Sequence, residues 1–368
     1  MQQKIFSEDN TKFYVAMAQL TGVSTAFKSA LLEYFDFDIK QAWTCKREDL
    51  EHFCESFPSV KISRTFFQKR GEIEPQKCLD EALEKGYKIL TYEDEKYPQI
   101  LKEIVDFPLS LYYVGDIDCV DFSHTLAIVG SRRASEAAKE ALAGIVAEMF
   151  NLPITIVSGL AYGIDAQAHK SAIKNGLKTI GVIGCGLDTT YPTSNKELYR
   201  QIKEGSGVIF SEYPPTMPPV PSNFPQRNRI VTGLSYGTLV AEAALKSGAM
   251  ISANLTLEQN RELMCMPGLI SNPNCQGIYQ LLKGGAGLVT CAQDIFDALG
   301  WEFSQSENKL ELNNDEKIIY DLIALEPKSF DIITKDVDFE IGNLMVNLTQ
   351  MELKGLIKQI NGKYYISN

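Results

Sequence analysis

Two guanidinium groups, three carboxamides and an aromatic face fall within Ser222-Asn223-Phe224-Pro225-Gln226-Arg227-Asn228-Arg229-Ile230, the stretch of this chain best equipped to grip a ligand. Pro214, Pro215, Pro218, Pro219 and Pro221 precede it and can continue neither a helix nor a strand ladder, so Glu212 to Pro221 is expected as a stiff, extended loop. Ser222 or Asn223 then caps a helix beginning near Phe224 and Pro225, where proline is tolerated in the first turn. Such a helix start aims backbone N–H groups, a positive dipole end, guanidinium groups and one ring at the same cleft. An anion carrying something flat suits it: a nucleotide, or a run of them. Arg227 and Arg229 are two positions apart and diverge by about 200° on a helix, so they cannot both face one ligand squarely. Arg227 is expected on phosphate; Arg229 is left between phosphate and an interior acid.

Three further turns offer similar chemistry. Gly130-Ser131-Arg132 sets a hydroxyl and a guanidinium at a strand end and helix start. Ser158-Gly159, with Gly163 four residues on, and Gly184-Cys185-Gly186 bring backbone close at two more strand ends. None matches the dinucleotide motif G-x-G-x-x-G or the P-loop, and each glycine alone reads as a tight turn. Ser158, Asp165 and His169 invite a catalytic triad. A base and its acid on one helix face are badly placed for a nucleophile behind the same turn, and no G-x-S-x-G elbow exists. Asp165 and His169 read as loop-pinning groups, and Glu212 and Glu242 as arginine partners, so no catalytic residue is assigned.

These turns need a scaffold, and the chain supplies one from Thr125 onward. Leu126–Gly130, Thr155–Gly159, Lys178–Gly184, Gly207–Phe210, Thr238–Val240 and Leu263–Met266 are short apolar runs alternating with helical segments. The rhythm predicts an α/β fold with a doubly wound, Rossmann-like parallel sheet that binds its ligand at the carboxyl ends of the strands. Residues 1–96 read as a small N-terminal helical domain and linker. There, Thr21-Gly22-Val23-Ser24 between two helices has the shape of a helix-hairpin-helix, read here as a helical interaction module. Tyr97 to Gly115 is expected as a linker packing on the Rossmann-like domain, which spans 97–300. Residues 301–368 read as a linker to about Asn314, three helices and a hairpin around Asn361-Gly362: a C-terminal winged-helix-like domain. In its helix 341–357 the one base is Lys354, beside Glu352, which suits a protein partner better than duplex DNA.

The bulk numbers bound the function. A net charge of −11 is wrong for a nucleic-acid binder until it is divided: residues 1–121 carry −7, 122–300 carry +1 and 301–368 carry −5. The middle alone does not repel a polyanion. No apolar run is long enough to cross a membrane and no secretory signal is evident, so the cytoplasm is the expected location. Eight scattered cysteines form no C-x-x-C pair and read as reduced thiols; neither metal nor cofactor is expected.

Ile128-Val129-Gly130-Ser131-Arg132, Ser158–Asp165 with Ala168-His169, and Gly184–Asp188 with Tyr191-Pro192 together resemble the DNA-processing protein A (DprA, or Smf) family. Ser211–Pro214, Phe224–Ile230, Glu242-Ala243 with Ser247-Gly248, and Pro267-Gly268 extend the resemblance over about residues 97–300. This chain departs from the family at Ala134–Ala137, where relatives often have Thr-x-Tyr-Gly, and at Pro219-Val220-Pro221, where relatives can have a lysine. The resemblance implies a non-enzymatic protein that binds single-stranded DNA, forms a homodimer and loads RecA recombinase in natural transformation. It implies DNA contacts at Gly130, Ser131, Arg132, Ser158, Gly159, Gly184, Gly186, Phe224, Arg227, Asn228 and Arg229. The alternative is a nucleotide-cleaving phosphoribohydrolase of the lysine-decarboxylase-like group. Its glycine-rich loop is approximated by Gly233–Thr238, with Glu242 one residue out of register.

Overall fold

The computed structural model describes residues 8–20, 22–303, 313–337, 339–353, 356–360 and 362–366. The 304–312 part of the expected linker, Lys354 and the Asn361 of the expected hairpin turn lie outside these. The chain divides into two compact units, Met1–Trp301 and Glu302–Asn368.

The first unit is built on a nine-stranded sheet: β1 (Lys88–Thr91), β2 (Ser110–Gly115), β3 (Thr125–Val129), β4 (Thr155–Ser158), β5 (Lys178–Ile183), β6 (Gly207–Ser211), β7 (Gly237–Val240), β8 (Glu262–Cys265) and β9 (Gly287–Leu288). Their spatial order is β1-β2-β6-β5-β4-β3-β7-β8-β9. From β6 to β9 all neighbours are parallel, while β2 joins β6 and β1 joins β2 antiparallel. Every residue of β3, β4, β6 and β7 is buried, which is why these strands read as unbroken apolar runs rather than alternating ones.

The chain winds outward from β3 to β6, then returns across the sheet to lay β7 on the other side of β3. That reversal opens a crevice at the carboxyl ends of β3 and β7, where open α/β sheets bind ligands. The returning segment is the proline loop followed by helix Asn223–Gly233, which packs on β5 and on helix Gly248–Glu258. Proline at its third position is accommodated as the sequence predicts, because the first-turn N–H groups have no intrahelical partner.

One expectation fails at the amino-terminal edge. Tyr97 to Gly115 is not all linker: Ser110–Gly115 is β2, paired on both sides. The aromatic and β-branched run Leu111-Tyr112-Tyr113-Val114 outweighs the upstream Pro98 and Pro108. The expected boundary at 96 therefore falls between two paired strands. The N-terminal helices share one apolar core with the sheet, joining Tyr14, Met17, Phe27 and Leu31 to Leu111, Val129 and Phe210.

The second unit packs helices Asn314–Leu325, Phe330–Asp336 and Ile341–Leu353 around Ile319, Ile323, Leu344 and Leu348. An antiparallel sheet of β10 (Lys328–Ser329), β11 (Ile357–Ile360) and β12 (Lys363–Ile366), in the order β10-β12-β11, completes it. Among the described residues no helix of the chain is long and apolar enough to cross a membrane. All eight cysteines are free.

Candidate nucleic-acid interface

Two loops meet at the crevice. After β3 the chain passes Gly130 and Ser131, whose N–H donates to the Glu242 carbonyl beyond β7 at 2.8 Å. Ser135 then caps helix Glu136–Ala147, its hydroxyl accepting from Ala138 N–H at 3.3 Å. The Glu242 carboxylate, fully buried, locks this corner. It accepts from the Ser135 hydroxyl at 2.6 Å, from Ser135 N–H at 3.3 Å and from the Asn272 amide at 3.1 Å. Its oxygens serve the loops, and Glu242 is not part of the groove lining. Glu242→Ala strands those donors and is expected to cost about 1–3 kcal/mol, read as a lowered thermal midpoint.

Arg132 projects from this corner, exposed, with its guanidinium 5.5 Å from the centre of the Phe224 ring. A Cβ on Gly184 would stand 2.9 Å from that ring, so glycine there lets Phe224 lie against the end of β5. Tyr191 stands beside it, ring centres 5.3 Å apart, and with Tyr162 lines the same small pocket. Tyr162 is 47% and Tyr191 40% exposed, so both offer open ring faces. Next to them a groove of about 490 Å³ runs past Gly130, Ser131, Arg133, Asn228 and Ser247. The Ser247 hydroxyl, at the start of helix Gly248–Glu258, is buried with no hydrogen-bond partner among the described residues. Helix N-terminus and unpaired hydroxyl together make a ready place for a phosphate oxygen.

The structure brings together Gly130, Ser131, Arg132, Gly159, Gly184, Phe224, Arg227 and Asn228 of the sequence-derived set, but gives several a different task. Ser158 is buried and donates to the Ile128 carbonyl at 2.6 Å, tying β4 to β3 away from the groove. Gly186 admits the proline loop instead of a ligand: its N–H donates to the Met217 carbonyl at 2.8 Å, and a Cβ would collide with the carbonyls of Pro214 and Pro215.

Arg227, expected on phosphate, lines the groove floor but is 3% exposed. Its Nη1 donates to the Val182 carbonyl and, at 2.7 Å, to that of Gly159. Burial pulls its guanidinium below the usual range while Asp165 supports the charge, and burial in turn holds the Asp165 carboxyl above its ordinary value against the pull of Arg227. Gly159 makes room for both, since a Cβ there would lie 2.6 Å from each. Arg227 therefore positions the loops that form the floor.

Arg229 leaves the opposite side of the helix. It is 4% exposed, its Nη2 donates to Glu212 at 2.7 Å, and its Nε lies 3.0 Å from an Asp106 carboxylate oxygen. Those acids hold its charge in the interior, so of its two readings the structure takes the interior one. Asp165 also accepts from Ala161 N–H at 3.3 Å, pinning the loop after β4. His169 sits 2.6 Å from the Thr179 hydroxyl, and burial, with Arg227 adding to it, pushes its imidazole down to about 3. A ring so held is neutral at any physiological pH and packs as a core group.

Tyr162, Tyr191 and Ser247 escaped sequence reasoning as contacts. Both tyrosines sit inside stretches flagged for their glycines and proline, and an aromatic residue in a turn carries no signal of which way it faces.

Residues 88–300 match the sequence model of DNA recombination-mediator protein A. The chain belongs to that family. Protein Smf of Synechocystis is 31% identical over 96% of this chain and 98% of its own length. DNA processing protein DprA of Streptococcus pneumoniae is 42% identical over 55% of this chain and 71% of its own. The X-ray structure of the pneumococcal protein covers 80% of this chain and 98% of that one at 32% identity, with a TM-score of 0.68. The structure of DNA processing protein A from Helicobacter pylori, described for its single-stranded DNA binding mode, covers 58% of this chain and 96% of that one at 32% identity, with a TM-score of 0.52. For this family member, the pocket of exposed rings falls in the matched residues.

Proposed function

We propose that this protein is a recombination mediator that binds single-stranded DNA, without sequence preference, in the crevice between the β3 and β7 loops. One observation carries the reading: an exposed guanidinium over Phe224, flanked by two open tyrosine rings, beside a helix N-terminus at the switch point of the sheet. Unpaired bases offer faces to the rings, and the flexible backbone lets phosphates reach Arg132 and Ser247. A duplex hides those faces. The charge division agrees, since residues 122–300 are the part of the chain that does not repel a polyanion. In this reading the protein holds its strand without cleaving it; Asp165 and His169, the groups nearest to an acid–base pair, are buried and engaged with Ala161 and Thr179. The strand it protects is handed to a RecA-type recombinase during natural transformation, as the family's mediator role implies.

A fluorescent single-stranded oligonucleotide challenged with unlabelled duplex of equal length tests this. Single strand is expected to compete far better than duplex; equal competition would reject the reading.

A homodimer would let two crevices share one strand and raise its effective concentration. The carboxyl-terminal edge of the sheet is the proposed contact, because Leu269, Ile270 and Leu288 are 69%, 87% and 53% exposed there. Ile270→Glu is expected to shift the protein to monomer by light scattering. An unchanged mass would place the contact elsewhere.

A further inference from the structure

Across the first turn of helix Asn223–Gly233 from the Arg132–Phe224 crevice lies a second cleft of about 700 Å³, with Pro225 on the ridge between them. One wall is the Gly22–Lys28 segment of the N-terminal helices; the other holds Asn223 and Arg229. Lys28 is 7% exposed, and its ammonium has one hydrogen bond, to the Ala18 carbonyl at 3.0 Å. Among the described residues no carboxylate forms an ion pair with it. On the far wall Arg229 bridges Glu212 and Asp106, so those acids are already engaged. A Cβ on Gly22 would stand 2.9 Å from the Lys69 ammonium, which adds a second cation beside the same turn. The helix starting at Thr25 opens on this wall, capped by Ser24.

Lys28 costs the fold something. Burial pulls its ammonium down to about 8, Glu212 opposing and Arg229 and Lys69 reinforcing the shift. Between about 8 and the ordinary lysine value the folded state binds fewer protons than the unfolded chain, so stability rises with pH across that window. At neutral pH the charged, buried lysine is a destabilising group, which is typical of residues that serve a ligand.

Resting on the proposed single-strand binding, we infer that this cleft holds the next stretch of the same strand. A phosphodiester lies against Lys28 and the Gly22–Thr25 turn, so that the N-terminal helices are part of the DNA path. One helix turn, about 10 Å across with its side chains, separates the two clefts. That gap is about three nucleotides at the 3.4 Å spacing of a stacked strand. The acidic average of residues 1–121 conceals this wall, where Lys28 and Lys69 stand beside one turn.

The test compares two oligonucleotides on the full chain: one of about six nucleotides, enough for the first crevice, and one of about sixteen. Lys28→Met is expected to raise the thermal midpoint at neutral pH and to leave the short oligonucleotide unaffected. For the long one it should weaken binding severalfold and flatten the salt dependence by about 0.7 in log–log slope, one phosphate contact. Thr25→Glu places an acid in a helix first turn, where it favours the fold, and is expected to weaken the long oligonucleotide alone. If wild type binds the short oligonucleotide and neither variant changes the long one, the N-terminal path is wrong and the crevice stands. Wild-type protein that binds neither oligonucleotide overturns the reading beneath it, and the inference with it.

Discussion

Arg229→Ala is expected to destabilise the first unit by about 3–5 kcal/mol, the usual effect of removing one member of a buried ion pair. The guanidinium is 4% exposed and bridges Glu212 and Asp106, the former only 14% exposed at its side chain. Those carboxylates hold its charged form above even the usual arginine value, overcoming the burial that opposes it. Taking the arginine away leaves Glu212 in the interior without a counter-charge, and leaves the Asp106 carbonyl without its Nε donor. Chemical denaturation of the variant measures the loss. Adding Glu212→Gln to Arg229→Ala should cost less than the two single changes summed, because the uncompensated charge is gone. Full additivity would mean that the two side chains do not interact. Variant protein that remains folded should bind a short oligonucleotide with its salt dependence intact, since Arg229 faces away from the first crevice.

The second large effect falls on binding instead of stability. Phe224→Ala is expected to weaken single-strand binding by about 1–3 kcal/mol, the value of one base stacked on an aromatic face. It should leave the slope of affinity against salt nearly unchanged. Arg132→Ala should do the reverse in kind: a moderate loss of affinity with a flatter slope, because the exposed guanidinium neutralises phosphate. The two residues touch, with the guanidinium 5.5 Å from the ring centre, so the double variant should lose less than the sum. Circular dichroism would show whether the fold survives, and it should, since Arg132 is exposed and Phe224 is only half-buried, at a helix start outside the apolar core. Loss of secondary structure in either variant would move that residue from the binding surface to the scaffold.

These two experiments separate residues that the sequence presents as equals. Arg132, Arg227 and Arg229 all sit in short motifs near predicted strand ends, and nothing in their spacing ranks their exposure. The 200° argument correctly sends Arg227 and Arg229 to different surroundings. It is silent on depth, and depth is what makes both of them interior groups. Ser158 illustrates the same limit: a serine at a strand end reads as a ligand hydroxyl, yet its partner is a neighbouring strand's carbonyl. Strand identity was legible because β3, β4, β6 and β7 are buried on both faces and leave continuous apolar runs. β2 was not, because prolines on its approach masked a strand one of whose partners, β6, lies far along the chain. The ring pair of Tyr191 and Phe224 was out of reach for the same reason, since 33 positions of sequence separate residues that the fold places 5.3 Å apart.

On the proposed function, one crevice at the switch point of the sheet holds a single strand through Arg132. Titrating salt against affinity for a fluorescent single-stranded oligonucleotide, in the wild-type protein and in Arg132→Ala, tests it most directly. The predicted result is weaker binding by the variant and a log–log slope shallower by about 0.7 for the lost phosphate contact. Identical affinity and identical slope in the two proteins would contradict it.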